Sequence, residues 1–163
     1  MHIKLINKKI IFNDYNVKCA IGKRGISKKK REGDSCTPKG SFKFKALFYR
    51  KDRVSSISSG LRKIVIKKNM GWCDDIRSKF YNKLITFPFN FSAEKLYLKD
   101  NTYDFILIMD YNLMPVKKNK GSAIFLHIAK KNYSPTKGCI AVSKKNMKFL
   151  IKKITTQSKI SIY

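Results

Sequence analysis

The chain has 163 residues, a formal net charge of +27 and a 43% share of hydrophobic residues. The apolar share excludes a disordered chain, and the length suits one domain with its own hydrophobic core. No internal repeat and no long Pro- or Gly-rich linker divides the sequence, so we predict a single domain over residues 1–163.

The positive charge has two interpretations, because 37 basic residues face only 10 acidic ones. An anionic partner such as nucleic acid, a membrane surface or a cell-wall polymer is one of them. The other is that lysine fills the solvated surface, as it would under AT-rich codon bias. Because the lysines are scattered from end to end, the second interpretation is favoured. Non-specific attraction to anionic polymers follows from either.

The N-terminus and the cysteines carry few signals. The longest apolar run near the start covers residues 10–12, which predicts no secretory signal peptide, and no stretch reaches the ~20 apolar residues of a membrane span. The four cysteines lack the clustered spacing of a metal site, so no metal is expected. A disulfide between Cys36 and Cys73 is left open.

The first half of the chain predicts strands and loops. Residues 3–12 predict a strand or hairpin arm with a turn at Asn13-Asp14, and residues 15–21 alternate as a half-buried strand does. A long loop follows over residues 22–39. Residues 41–49 predict a strand with one face formed by Phe42, Phe44, Ala46 and Phe48.

The middle of the chain holds the only tryptophan. After a loop over 50–62 and a short strand within 61–66 comes Gly71-Trp72-Cys73-Asp74-Asp75. An exposed loop of this kind often carries function. Alternatively, Trp72 fills the edge of the core while Asp74 and Asp75 cap a turn or helix. Both interpretations stay open.

The second half predicts the core strands and one helix. Residues 103–109 are almost continuously apolar, as in a strand buried on both faces, and Tyr111-Asn112 lie just beyond it. In the next strand, 121–129, His127 shares a face with Phe125 and Ala129. Residues 138–142 form a short apolar segment.

A helix follows that segment. Ser143 is the predicted N-cap, and the helix has a core stripe of Met147, Leu150, Ile151 and Ile154. Ile160 and Ile162 alternate as a final strand does. The whole pattern predicts a mainly β (α+β) fold with about one clear helix.

His127 and Cys139 form the one combination that indicates chemistry. His127 lies within a predicted strand, and Cys139 follows twelve positions later, after Gly138. An imidazole beside a thiol can take its proton and later donate it to a leaving amine. Amide groups near Gly138 and Cys139 are candidates for stabilising an oxyanion. The alternative is a core histidine and a small buried cysteine.

These residues resemble the signature of the L,D-transpeptidase family, whose catalytic domain is YkuD-like. His127 on a strand is followed by Thr136-Lys137-Gly138-Cys139-Ile140, and the upstream Thr37-Pro38-Lys39-Gly40-Ser41-Phe42 resembles the family's T-P-x-G-x-F element. Three further segments, KREGD, GWCDD with YN, and GSAIFLH, are similar to one bacterial branch. The resemblance covers nearly the whole chain.

The resemblance implies a mixed β-sandwich with long loops over a cleft, and a cysteine acyltransferase of peptidoglycan stem peptides. Cys139 would be the nucleophile and His127 the proton donor and acceptor. Gly138, Thr136 and Ser134 would form the oxyanion turn or position the ring, which a backbone carbonyl is also expected to orient. Candidate substrate-binding residues are Lys137, Trp72, Tyr111 and Asn112. No cofactor is implied.

Two kinds of alternative remain. The same pair would serve an L,D-carboxypeptidase or muropeptide hydrolase, and a different class would be a basic nucleic-acid-binding protein. The family implies the periplasm or cell envelope, although no signal peptide is visible. The chain also departs from the family's pattern, with Lys137 where His is common and Ala141 where Arg is common.

Overall fold

Strands dominate the computed structural model, which describes residues 1–28 and 31–163. In chain order the strands are β1 His2–Ile6, β2 Lys9–Phe12, β3 Tyr15–Ala20, β4 Ile26–Ser27, β5 Thr37–Pro38, β6 Gly40–Tyr49, β7 Lys63–Val65, β8 Met70–Cys73, β9 Leu84–Thr86, β10 Ala93–Lys95, β11 Phe105–Met109, β12 Phe125–Ile128, β13 Ile140–Val142 and β14 Lys159–Ile162. The helix α1 spans Lys144–Lys153, and a single 3₁₀ turn spans Lys131–Tyr133. The predicted mainly β fold with one helix is confirmed.

The long strand β6 joins two parts of one bent sheet. Nine strands follow the order β11-β12-β13-β3-β2-β1-β14-β6-β7. The first residues of β6, 40–43, pair with β14, and residues 44–49 pair with β11. Because β6 also contacts the opposite end of the strand order in this way, the sheet folds over itself. The result is the sandwich expected from the resemblance.

A register shift in β6 corrects one prediction. Ile108 pairs with Ala46, but the next residue, Met109, pairs with Phe44. The extra residue reverses the faces, because side chains alternate along a strand. Phe44 therefore packs in the same core cluster as Leu107, whereas Ala46 and Phe48 pack in a second cluster on the other side. The prediction that these alternating residues share one face is wrong.

The N-terminal strands are joined by two tight turns. Asn7 and Lys8 have φ values of 49° and 59° and connect β1 to β2, and Asn13, with φ of 45°, begins the turn from β2 to β3. Positive φ at both central residues gives the turn a twist that matches that of paired strands. The strand predicted over residues 3–12 is therefore a hairpin, and the predicted Asn13-Asp14 turn is confirmed.

A three-stranded sheet, ordered β10-β8-β9, covers one side of the sandwich, and we call it the lid sheet. Trp72 in β8 packs the lid sheet against the sandwich. The indole is 8% exposed and lies edge-on to Phe48 and Phe125, at 6.4 and 5.6 Å between ring centroids. The indole N–H donates to Asn82 Oδ1 at 2.9 Å. Trp72 is thus a core residue, as one of the two interpretations had it.

The helix α1 packs in the core cluster that contains Phe44 and Leu107. Met147, Leu150, Ile151 and Ile154 are all at most 2% exposed and belong to the same cluster as β1, β11 and β12 residues. Ser143 caps the helix, and its hydroxyl accepts a hydrogen bond from the Asn146 amide at 3.2 Å. The predicted N-cap and core stripe are confirmed.

The cysteines and the helix lengths give two further findings. Cys36 and Cys73 are both buried and are not joined by a disulfide. Within residues 1–28 and 31–163, no helix has the length and apolarity that crossing a bilayer requires. The predicted loop over residues 22–39 contains the short parallel pair of β4 and β5, and Lys29 and Lys30 lie outside the described part.

Loss of the Ser143 cap should weaken α1. We expect Ser143→Ala to lower the free energy of unfolding by about 1 kcal/mol, because the Asn146 amide loses its acceptor. Chemical denaturation measures this change. Ser143→Asp keeps an acceptor and should remain close to wild type, whereas an equal loss in both variants would contradict the capping role.

Candidate active site

The parallel pairing of β12 and β13 brings the predicted pair together. His127 is in register with Ala141, so Cys139, two residues earlier, lies beside Phe125 at the start of β13. The Phe125 amide donates to Cys139 Sγ at 3.4 Å. Side chains two apart on one strand share a face, so His127 and Cys139 point to the same side. Strand spacing and rise place their Cα atoms roughly 8 Å apart, within reach of two side chains.

The His127 ring is held in one tautomer. Its Nδ1 lies 2.9 Å from the backbone oxygen of Ile128, and that oxygen can only accept a hydrogen bond. Nδ1 therefore carries the proton, and Nε2 carries the lone pair. This contact is of the kind that the sequence led us to expect, a backbone carbonyl orienting the imidazole.

Burial keeps the His127 ring neutral. The residue is 6% exposed, and loss of contact with water lowers its pKa from 6.5 to about 4, with a smaller contribution from the positive charge of Lys130. The contact with Ile128 O works in the opposite direction but does not outweigh burial. At neutral pH the ring is therefore able to accept a proton.

Tyr103 connects the imidazole to a carboxylate. Its ring lies edge-on to His127 at 5.3 Å between centroids, and its hydroxyl donates to Glu94 Oε1 in the lid sheet. Burial holds the pKa of Tyr103 well above its ordinary value of 10, so the phenol remains a donor. Tyr103 thus spans from the core side of the cleft to its lid.

The Thr136 side chain holds the turn before Cys139 by two hydrogen bonds. Thr136 Oγ1 donates to the Cys139 carbonyl, and the Gly138 amide donates to Thr136 Oγ1 at 3.1 Å. The Gly138 amide is thereby directed into the turn. In this structure Thr136 and Gly138 shape the loop that presents Cys139, and their predicted part in an oxyanion site stays a prediction.

Two hydrogen bonds of the Thr37 side chain connect this turn to the rest of the fold. The hydroxyl donates to the Gly138 carbonyl at 2.8 Å and accepts from the Gly22 amide at 2.8 Å, and the residue is fully buried. Gly138 has φ of +135°, and a Cβ at this position would lie 2.9 Å from the Cys36 carbonyl oxygen. The upstream T-P-x-G element and the loop before Cys139 are therefore parts of one packed unit.

Cys139 and His127 open onto a cleft of about 770 Å³. The lid sheet, the β12–β13 connection and the loop around Glu32 form its walls. Its charged lining residues are Glu32, Asp74, Glu94, Lys130 and Lys137. Three of the chain's ten acidic residues thus lie here, in a molecule of net charge +27. Among the described residues, no group of three or more His, Cys, Asp and Glu side chains is arranged to hold a metal ion.

Each carboxylate of the cleft has a different environment. Glu32 accepts from Tyr81 Oη at 2.6 Å and from Ser122 Oγ at 3.1 Å. The pKa of Glu94 is raised above its usual 4.5, chiefly because the carboxyl loses contact with water in the cleft, although the residue as a whole is exposed by surface area. Within the described part of the chain, Asp74 Oδ1 is buried without a hydrogen-bond partner.

The two aspartates of the Trp72 segment have separate roles. Asp75 caps a turn by accepting from the Arg77 amide at 3.0 Å, and it also pairs with the Arg77 guanidinium at 2.7 Å. The guanidinium holds the pKa of Asp75 well below its ordinary range. Asp74 instead lines the cleft. The capping interpretation is therefore right for Asp75 alone.

The remaining predicted site residues divide into two groups. Ser134 and Lys137 are exposed and line the cleft. Trp72, Tyr111 and Asn112 are not among its lining residues. Tyr111 donates to the Lys120 carbonyl, and the Asn112 side chain bridges Lys117 and Gly121 across a loop. The prediction that these three residues contact substrate is not supported by their placement.

The residues that were not predicted in these roles include Glu32, Thr37, Asp74, Glu94 and Tyr103. Thr37 and Asp74 lie in segments that the resemblance had already marked. Tyr103 begins the apolar run of 103–109, whereas Glu94 lies nine residues earlier with no signal of its own. Their hydrogen bond depends on how the chain folds between them, so spacing alone could not assign their roles.

The structure is a mainly β protein in which His127 on one strand and Cys139 just before the neighbouring strand open onto the same cleft. A family model of the YkuD L,D-transpeptidase catalytic domain matches residues 5–162. The chain belongs to this family, as the resemblance implied. Among curated proteins, no significant match is found.

The Thr37 hydroxyl should stabilise the loop that precedes Cys139. We expect Thr37→Val, which has nearly the same shape, to cost about 2 kcal/mol of unfolding free energy, because the Gly22 amide and the Gly138 carbonyl both lose a buried partner. Denaturation monitored by circular dichroism measures this cost. Thr37→Ser retains the hydroxyl and should keep most of the stability, and a milder effect of valine than of serine would contradict the bridge.

The buried neutral His127 should make folding sensitive to acid. Between pH 6.5 and about 4 the unfolded histidine binds a proton that the folded one does not, so stability falls as pH drops through this window and levels off below it. The loss is on the order of 3 kcal/mol. Unfolding free energies of wild type and His127→Gln, compared pH by pH, isolate this contribution from that of carboxylates such as Glu94.

The other histidine supplies the control for this experiment. His2→Gln removes it and should leave the acid sensitivity of wild type in place. Parallel stability curves for wild type and His127→Gln from pH 7 to pH 4 would show that His127 is not buried as a neutral ring.

Proposed function

We propose that the protein is an L,D-transpeptidase that acts on peptidoglycan stem peptides through an acyl-enzyme on Cys139. The observation that carries this proposal is the His127 ring, whose Nδ1 is tied to Ile128 O and whose Nε2 lone pair is left for a proton, on the same face as Cys139. Membership of the family supports the substrate class. The assignment of the two residues rests on their geometry.

Acylation would use both partners of the pair. His127 Nε2 takes the thiol proton while Cys139 Sγ attacks the amide carbonyl of the third residue of a donor tetrapeptide. The C–N bond to the terminal D-alanine then breaks, and the proton passes from His127 to the leaving amine. A thioester on Cys139 and free D-alanine result. The Phe125 amide, 3.4 Å from Sγ, supports this step because an N–H donor stabilises sulfur as it gains negative charge.

The second half-reaction depends on the acceptor. The side-chain amine of another stem peptide attacks the thioester in its neutral form. His127 accepts the amine's proton and passes it to the sulfur of Cys139 as the C–S bond breaks. The product is a 3→3 cross-link. Water as acceptor gives carboxypeptidase activity, and a free D-amino acid gives exchange.

The carboxylates of the cleft support an amine as the acceptor. The three carboxylates that line the cleft outnumber its two ammonium groups, those of Lys130 and Lys137, so the cleft favours a cationic group. The buried Asp74 Oδ1 lacks a hydrogen-bond partner among the described residues, and an ammonium donor would supply one. Water gains no comparable advantage from these charges, so transfer to an amine is favoured over hydrolysis.

The same carboxylates disfavour a nucleic-acid-binding protein. A polyanion drawn to the lysine-rich surface would meet three acidic side chains in the main cleft. Aromatic residues near the cleft, such as Tyr103 and Phe125, are buried and provide no exposed platform for stacking bases.

Acylation of one defined cysteine tests the proposal. On incubation with a tetrapeptide donor or a carbapenem, we expect the intact mass to rise by one acyl group, located on Cys139 by peptide mapping. Cys139→Ala should not gain this mass, because it lacks the nucleophile. His127→Ala should slow acylation by at least about a hundredfold, since general-base catalysis typically contributes 10²–10⁴.

Cys36→Ala is the matched control, because it removes another thiol beside the same loop and should still be acylated. Identical masses of wild type and Cys139→Ala after incubation would reject the mechanism. Adding an acceptor stem peptide then distinguishes the activities, since a dimer indicates cross-linking and a tripeptide alone indicates hydrolysis.

A further inference from the structure

The lid sheet region carries a row of three phenylalanines, the outer two exposed and the middle one half-buried, that the proposed chemistry does not use. Phe80, Phe89 and Phe91 contact one another in sequence, with ring centroids 6.1 and 5.8 Å apart, and we call them the aromatic ridge. Phe80 and Phe91 are 42% and 41% exposed. The ridge forms a shallow groove with Arg77 and Lys79, and none of these residues lines the cleft. Large exposed apolar groups clustered in this way mark an interaction surface.

The charge around the aromatic ridge is positive. Residues 76–93 contain three basic residues, no acidic residue and four of the eleven phenylalanines of the chain. Arg77 is paired with Asp75, so the surplus charge comes from the exposed Lys79 and Lys83. Lys79 Nζ lies 5.4 Å from the centroid of the Phe80 ring. An apolar strip beside exposed ammonium groups is complementary to a surface whose outer layer is anionic and whose inner layer is apolar.

We propose that the aromatic ridge docks the protein on an anionic lipid bilayer, with the rings entering the headgroup region and the lysines contacting lipid phosphates. The ring arrangement favours lipid over a glycan strand. Neighbouring rings are inclined by 73° and 52°, so together they do not form the continuous flat platform that an extended glycan would follow. The exposed rings of Phe80 and Phe91 suit insertion among acyl chains and headgroups.

The position of the aromatic ridge gives the docking a consequence for the cleft. Phe91 is followed directly by Ser92 and Ala93, which line the cleft. A bilayer bound at the ridge would therefore lie against the lid wall of the cleft, and would restrict the protein to substrates near the membrane surface. Docking does not require acyl transfer, and Cys139→Ala should bind vesicles as wild type does.

Vesicle co-sedimentation tests the proposal with the full chain. Wild type should bind vesicles of phosphatidylglycerol and phosphatidylcholine in equal parts, and should bind phosphatidylcholine vesicles far less. The triple variant Phe80→Ser/Phe89→Ser/Phe91→Ser keeps the charge of +27, yet its partition onto the anionic vesicles should fall by about tenfold or more, because the inserted apolar area is lost. Equal binding by wild type and this variant would mean attraction by charge alone and would overturn the proposal.

Met114→Ser/Tyr163→Ser is the matched control, because it removes two other exposed apolar side chains, 94% and 54% exposed, outside the ridge. This variant should bind as wild type does. Equal losses in the control and in the triple variant would also overturn the proposal.

A single substitution reports on insertion without removing the ridge. Phe91→Trp should be quenched by brominated lipids in anionic vesicles, whereas Met114→Trp should not. Absence of quenching at position 91 would contradict insertion even if the triple variant fails to fold. Loss of binding to purified peptidoglycan sacculi in the triple variant, with unchanged vesicle binding, would instead assign the ridge to a glycan.

Discussion

The parallel register of β12 and β13 is the constraint on which the proposed site depends. It sets His127 beside Ala141 and leaves Cys139 at the entrance to β13, next to Phe125. Parallel neighbours need a connection that leaves the sheet and returns. Here residues 129–139 make this connection, and its last turn is held by Thr136 and Thr37. The crossover that the pairing requires is thus also the loop that presents Cys139, the proposed nucleophile.

The charges of the molecule are distributed unevenly, and their local distribution says more about the partner than the net charge does. Lysines cover the surface from end to end, yet three carboxylates line the cleft. Tyr81, Ser122 and Tyr103 hold two of these carboxylates by hydrogen bonds. Carboxylates fixed in this way retain their position in a strongly positive field. Net charge alone suggests a polyanion as the partner, whereas the local charges suggest a cationic group at the site.

Much of the fold followed from periodicity, and its exceptions have physical causes. Strand alternation predicted β3 and β14, the apolar run of residues 103–109 predicted β11, and the helical stripe with Ser143 predicted α1. The face reversal in β6 could not be predicted, because a bulge depends on the partner strand rather than on local sequence. The same limit applies to the site. His127 and Cys139 stand out by residue type, but the bridge from Thr37 to Gly138 joins residues 101 positions apart.

The lid sheet has two environments that explain why one segment can serve both packing and recognition. Trp72 lies between Phe48 and Phe125, which fixes the middle strand β8 to the sandwich. With β8 fixed, its neighbour β10 carries Glu94 toward Tyr103, while the chain before β10 projects Phe91 outward. A substitution at Trp72 would therefore disturb both the acidic wall of the cleft and the aromatic ridge without contacting substrate or lipid. Trp72 therefore influences the cleft and the aromatic ridge only through the position of the lid sheet, and its own side chain belongs to the core.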